Sequence, residues 1–183
     1  MALIQAAAPR SGPEKLFDLG FGVYAKIKGA VDRSRPGVDP LTPWPALMGD
    51  QKRELGQAVA MLREAADQRH KEAQAHCGDI YRFGWGVAQD DRLAFVYNEK
   101  AAQQGHSGRS NNTGCYYRDG LGCEQSYVRS AEGFEKAARQ GYTEAMLSFG
   151  SLYGNGQGVP QNYAQAAEWY EKAARQGSAA AQV

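Results

Sequence analysis

The stretch from Gly150 to Gly177, GSLYGNGQGVPQNYAQAAEWYEKAARQG, decides how the rest of the chain is read, because it recurs upstream at a fixed spacing. Moved back by 36 residues, Gly150, Tyr153, Gly156, Gly158, Gln161, Glu171, Lys172, Ala173, Ala174, Gln176 and Gly177 fall on Gly114, Tyr117, Gly120, Gly122, Gln125, Glu135, Lys136, Ala137, Ala138, Gln140 and Gly141. A second step of the same size brings them to Gly78, Tyr81, Gly84, Gly86, Gln89, Glu99, Lys100, Ala101, Ala102, Gln104 and Gly105. Nothing is inserted or lost between copies, so the chain is first of all a tandem array. Glycine accounts for 22 of 183 residues, well above a usual share of about 7%. The repeated positions explain the excess.

Each copy reads as two helices joined by a glycine turn. In the first copy, Glu72 to Arg82 carries Ala73, Cys77, Ile80 and Tyr81 at helical spacing. Gly84-Trp85-Gly86 then supplies positive-φ positions that end it. Asp90, Ser126 and Asn162 share one register and one chemistry, a side-chain oxygen able to cap the following helix. That second helix spans about Asp91 to Gln104, apolar at Ala94, Tyr97 and Ala101, and Gly105 closes it. Gly78 sits inside the first helix at a cost of about 1 kcal/mol relative to alanine. Its recurrence predicts a close helix approach, with Ala101 and Ala102 opposite it and the Tyr81 ring alongside.

One such hairpin cannot bury its apolar face alone, whereas stacked copies form a continuous core. The expected fold is all-α: a right-handed α-solenoid of 36-residue helix-turn-helix repeats, with an irregular N-terminal arm. The residues Ala145 to Leu147, Gly150, Tyr153, Gly156-Gln157-Gly158-Val159, Ala166, Trp169-Tyr170 and Lys172-Ala173-Ala174-Arg175-Gln176-Gly177 closely resemble the Sel-one-like repeat, a relative of the tetratricopeptide repeat, whose period is about 34. The resemblance covers about Lys71 to Gly177. It is weaker in the second copy, where Ser130 replaces an alanine and Gly133 an aromatic.

These registers divide the chain into an arm (1–50), a degenerate capping helix (51–70) and a repeat region (71–183). The repeats are 71–105, 106–141 and 142–177, followed by the start of a fourth. In the capping helix Ala65, Ala66 and Gln68 fall on Ala101, Ala102 and Gln104. In the arm, Leu16, Leu19, Val23, Ile27 and Val31 form a helical stripe weakened by Gly20, Gly22 and Gly29. The segment from Arg35 to Pro45 holds four prolines and must be extended. Two readings stand for this apolar arm: it packs on the chain's own first helices, or Phe17, Phe21, Trp44 and Leu47 dock on another subunit. A fourth first helix begun at Ser178 to Val183 leaves the last repeat uncapped, which fits a longer protein or a partner on that face.

Composition narrows the remaining classes. Hydrophobic residues make up 43%, charged residues 22%, and the net charge is +1. This profile is that of a folded protein without the basic footprint of a nucleic-acid binder. No apolar run approaches the 18 to 20 or so residues of a membrane span. Cys77, Cys115 and Cys123 are an odd number, which favours reduced thiols and an intracellular compartment, with pairing of Cys115 and Cys123 left open. The acid-free opening Met1 to Arg10 fits either a transit remnant, hence organelle import, or a frayed terminus.

No catalytic set is legible. His70, His76 and His106 are the only histidines, and neither a metal-ligand spacing nor a phosphate loop accompanies them. His70 and His106 share a structural register at inter-repeat turns. Cys77 and His76 are helix neighbours and diverge. No cofactor is expected. The sequon Asn111-Asn112-Thr113 falls inside a helix.

The resemblance implies that the first helices line a concave, ligand-facing surface. Its candidate residues are Asp79, Arg82 and Phe83, then Asn111, Cys115, Arg118 and Asp119, then Ser151 and Asn155. Glu72, Ala75, Gly108, Glu144 and Leu147 are expected on the same exposed face. Arg82 and Arg118 share a register and suit an acidic peptide, or are simply solvated. Arg109 to Thr113 breaks the repeat pattern, a mark of function or of imperfect packing. Trp85 is either an exposed anchor or folds back on the next hairpin. The function expected is a non-catalytic scaffold or adaptor within a multi-protein complex, whose partner covers the arm or the uncapped repeat. The alternative is a regulatory receptor for an acidic or C-terminal peptide. An enzyme is a third and weaker reading.

Overall fold

The computed structural model describes residues 12–34 and 49–177. Trp44, Leu47, the proline-rich stretch and the fourth-repeat residues 178–183 lie outside the described residues. Those described form eight helices and no strand. They are α1 (Pro13–Ser34), α2 (Gly49–Asp67), α3 (Lys71–Phe83), α4 (Asp91–Gln103), α5 (Ser107–Asp119), α6 (Tyr127–Arg139), α7 (Thr143–Asn155) and α8 (Tyr163–Arg175). The fold is the all-α repeat solenoid expected from the period. The chain divides within α4 into two compact units, one ending at Lys100 and the other beginning at Ala101.

Capping chemistry explains why all six repeat helices are 13 residues long. The first helices stop at Gly84, Gly120 and Gly156, with φ of 66°, 67° and 65°, a conformation that penalises any residue with a Cβ. Asp90 Oδ1 accepts from the Leu93 amide at 2.9 Å, Ser126 from Arg129 and Asn162 from Gln165. Three different residues therefore perform one capping task. The recurring glutamine clamps the turn: Gln125 Nε2 donates to the Arg118 carbonyl at 2.7 Å, and Gln161 Nε2 to the Gly154 carbonyl at 2.8 Å.

In the first unit, α2 packs against both α1 and α3. Leu55, Ala58, Leu62, Ala65, Ala66, Cys77 and Ile80 are almost wholly buried at its centre. The arm's helix settles on this core by a different face from the one its stripe suggests. Gly20, Tyr24, Ile27 and Val31 are buried, while Leu19 remains 37% exposed. Gly20 is the reason: a Cβ there would stand 2.9 Å from the Ala58 carbonyl oxygen and 3.2 Å from Leu62 Cγ. Gly150 meets Ala166 and Tyr170 in the same way, at 3.2 Å and 2.9 Å, and those residues share the registers of Ala58 and Leu62. So α1 packs on α2 as a first helix packs on its second, and a glycine that weakens an isolated helix permits the approach.

The same register identifies what covers the other helix glycines. Gly78 faces the Asn98 side chain, and a Cβ on Gly114 would lie 2.7 Å from the Phe134 ring. The covering residue is thus Asn98, Phe134 or Tyr170, and not Ala101 and Ala102 as expected. Those alanines are one helical turn away and are buried in their own right.

In the second unit α5 pairs with α6, α7 with α8, and α6 joins the two hairpins. Phe134, Ala137, Ala145, Phe149, Leu152, Trp169 and Ala173 make its core. The second repeat is polar inside. Ser110, Asn111, Thr113 and Ser130 are all buried, and Thr113 Oγ1 bonds back to the Arg109 carbonyl at 2.8 Å, a common way for a helix to absorb a hydroxyl. Asn111 Oδ1 and Ser130 Oγ have no hydrogen-bond partner among the described residues. The breach of the repeat pattern therefore lies inside the second unit's core and not on its surface.

Candidate interaction surface

On α3, Arg82 is exposed and its guanidinium lies 5.2 Å from the Phe83 ring centre. Asp79 and Phe83 are half-buried. Phe83 packs on Trp85 at 4.7 Å, Trp85 on Tyr24 at 6.4 Å, and Lys28 caps the indole at 5.0 Å. Trp85 therefore folds back on α1. Burial raises the Tyr24 phenol above its ordinary range, and the nearby Asp79 carboxylate adds to the effect. Ala75, expected on the exposed face, is buried.

The two phenylalanines of the arm occupy the chain's own histidines. Phe17 stacks on His70 at 4.4 Å, and Phe21 lies 4.5 Å from His76. His70 is itself the N-cap of α3. Its Nδ1 accepts from the Ala73 amide at 3.1 Å, which leaves the proton on Nε2, 3.0 Å from Glu14 Oε2. Packing on the chain's own first helix is what these contacts describe. Aromatic stacking on these two imidazoles leaves both rings half-buried.

In the second unit the expected face is only partly a surface. Asn111 is buried, correcting its placement there, because its register on α5 points inward as Ala75 does on α3. Cys115 is half-buried and forms no disulfide. Arg118 binds its neighbour Asp119 through two bonds of 2.8 and 2.9 Å. This hydrogen-bonded guanidinium holds the Asp119 carboxyl below the usual carboxylate range. On α7, Ser151 and Asn155 are exposed and 3.4 Å apart, Nδ2 to Oγ.

The thiol chemistry is quiet. Burial, reinforced by the Asp67 charge, pushes Cys77 from 9.0 to about 12, so it is a protonated thiol at neutral pH. Cys115 and Cys123 are not joined in a disulfide, and Cys123 Sγ lies 3.5 Å from the Tyr116 carbonyl. Among the described residues no group of three or more His, Cys, Asp or Glu side chains is placed to hold a metal. None of the described helices is long and apolar enough to cross a membrane.

Tandem helical hairpins in one register define an α-helical repeat protein. The chain belongs to the Sel1 repeat family, whose pattern matches residues 47–70, 71–106, 111–142 and 143–178. Among solved structures it is similar to a Sel1 repeat protein from Oxalobacter formigenes, with 33% identity and a TM-score of 0.63 over 68% of this chain and 51% of that one. It is also similar to a protective antigen of uropathogenic Escherichia coli displaying the same fold, with 29% identity and a TM-score of 0.67 over 94% of this chain and 35% of that one. Cysteine-rich protein B of Helicobacter pylori shares the fold at 22% identity and a TM-score of 0.56, over 73% of this chain and 96% of that one. The chain thus spans about half the length of the first of these and about a third of the second. Among curated proteins none matches it in sequence. Proteins of this family generally mediate protein–protein interactions.

Proposed function

We propose that the chain is a non-catalytic scaffold that holds other proteins in a multi-subunit assembly. The observation that carries this reading is the exposed pair Ser151 and Asn155 on α7, presented by a hairpin whose own core is closed. Short polar side chains on a rigid helix suit a complementary protein surface, because little conformational entropy is lost on contact. Asp79, Arg82, Phe83, Cys115, Arg118 and Asp119 extend the proposed surface within their own units. The receptor reading is weaker at Arg118, whose two donors already serve Asp119.

The test is affinity purification of the tagged chain from its source cells, with partners identified by mass spectrometry. A scaffold gives a stoichiometric complex that survives Arg82→Ala with Arg118→Ala and is lost with Ser151→Trp and Asn155→Trp. Weak, salt-sensitive capture abolished by the two arginine changes supports the receptor instead. Recovery of the chain alone counts against both.

A further inference from the structure

We infer that the second unit carries a separate docking site for an acidic segment of a partner protein, in an open cavity between α6, α7 and α8. The site rests on the protein-binding reading above but uses the second helices. The cavity has a volume of about 530 Å³, with Trp169 and Met146 lining it and Lys172, Arg139, Gln165 and Gln176 around them. Both lining side chains are nearly buried, at 9% and 5% exposure.

The repeat register shows why this cavity is short of an anion. Lysine stands at the same position in every copy. Lys100 meets a carboxylate, its Nζ lying 3.9 Å from Asp67. Lys136 meets a carbonyl, donating to the Ala102 oxygen. The position of Asp67 becomes Gln103 and then Arg139 in later copies. The third lysine therefore shares its cavity with a guanidinium, where the first has a carboxylate. Arg139 is held by Glu135 on its own helix at 2.7 Å. Lys172 lies 4.1 Å from the centre of the Trp169 ring, and no ion pair of it exists among the described residues.

The indole is particular to this copy: the position of Trp169 is Tyr97 in the first repeat and Gly133 in the second. The neighbouring polar groups are engaged: Gln176 accepts from Thr143 Oγ1 at 2.8 Å, Gln165 donates to Glu168 at 3.3 Å, and the Ala138 carbonyl accepts from the Gly141 amide at 3.0 Å. Two cations at one rim raise the local potential, and an incoming carboxylate relieves it through charge-assisted hydrogen bonds. An aliphatic neighbour in the same segment then covers the Trp169 face, the kind of aromatic anchor that concentrates binding energy. A protein segment of alternating acidic and aliphatic residues meets both demands.

The experiment uses the intact chain and a short fluorescein-labelled peptide of alternating glutamate and leucine, followed by fluorescence anisotropy. A peptide of alternating lysine and leucine is the control. The acidic peptide is expected to bind, and more weakly as salt rises. Lys172→Glu is expected to weaken it about tenfold or more, a change of about 1.4 kcal/mol, while Lys52→Glu, an exposed charge elsewhere, leaves it unchanged. Circular dichroism confirms that both variants fold. Equal binding of the two peptides, no binding of the acidic one, or an affinity indifferent to Lys172→Glu overturns the site. Such a failure with the purified partner complex intact leaves the scaffold reading standing. Peptide binding without any co-purifying partner overturns the scaffold and not this site.

Discussion

Gly133 on α6 lies so close to Gly114 on α5 that a Cβ built on Gly133 would stand 2.9 Å from the Gly114 nitrogen and 3.0 Å from its Cα. The obstacle is backbone, which cannot rotate away. Where the third repeat holds Trp169 beside Tyr170, the second holds Gly133 beside Phe134, and the missing side chain lets the α5 and α6 backbones approach this closely.

Gly133→Ala is accordingly expected to destabilise the second unit by about 1–3 kcal/mol, the usual range for overpacking a filled core. Gly105→Ala provides a contrast, since nothing crowds that position and its penalty comes only from φ of 85°, about 1 kcal/mol. Urea denaturation followed by circular dichroism ranks the two. A milder effect for Gly133→Ala than for Gly105→Ala contradicts the backbone contact.

Arg69 has φ of 68° at the register where the repeats place Gly105, Gly141 and Gly177. It is the non-glycine residue in the left-handed region among those described. Arg69→Gly should relieve that strain and raise stability by up to about 1 kcal/mol. The midpoint of thermal unfolding reads the effect, and a lowered midpoint means that contacts of the arginine outweigh the strain.

Alkaline pH should loosen the first unit before the chain as a whole is affected. Burial raises Cys77 from 9.0 and Tyr97 from 10.0, each to about 12, and raises Tyr24 as well. The folded chain therefore keeps protons that the unfolded chain releases near pH 9 to 10. Stability contributed by these groups is complete below that range and falls as pH rises toward 12. Denaturation midpoints compared at neutral pH and near pH 10 should show the decline. Iodoacetamide at mildly alkaline pH should label Cys115 and Cys123 well before Cys77, and equal labelling contradicts the burial.

Phe17→Ala removes the ring that covers His70. Loss of a half-buried aromatic with its stacking partner should cost about 1–3 kcal/mol. Because α1 also carries Tyr24 and Lys28 to Trp85, indole emission should shift to the red as α1 loosens. The shift should vanish in a Trp85→Phe background.

How much could be read beforehand depends on the range of the interaction. Helix ends were legible because their causes are local: Gly84, Gly120 and Gly156 stop helices by their own φ, and Asp90, Ser126 and Asn162 cap the amide three residues on. The partner of Gly78 was not legible, because Asn98 belongs to another helix and changes identity from copy to copy. A comparison of Asn98, Phe134 and Tyr170 one turn beyond Ala94, Ser130 and Ala166 would have been the only signal available. Asn111 was misplaced together with Ala75, because their shared register was assigned to the exposed face of the first helices and packing turns it inward.

The amino-acid sequence alone determined the repeat, its helical hairpins, their caps and the family, since a period of glycines and capping oxygens acts within a few residues of chain. Tertiary structure alone decided that α1 joins α2 through Gly20, that the arm's aromatic rings cover His70 and His76, and that Lys172, Arg139 and Trp169 line one cavity. Each of these depends on which surfaces are brought within a few ångströms by packing, and a residue's neighbours across helices are not encoded in its neighbours along the chain.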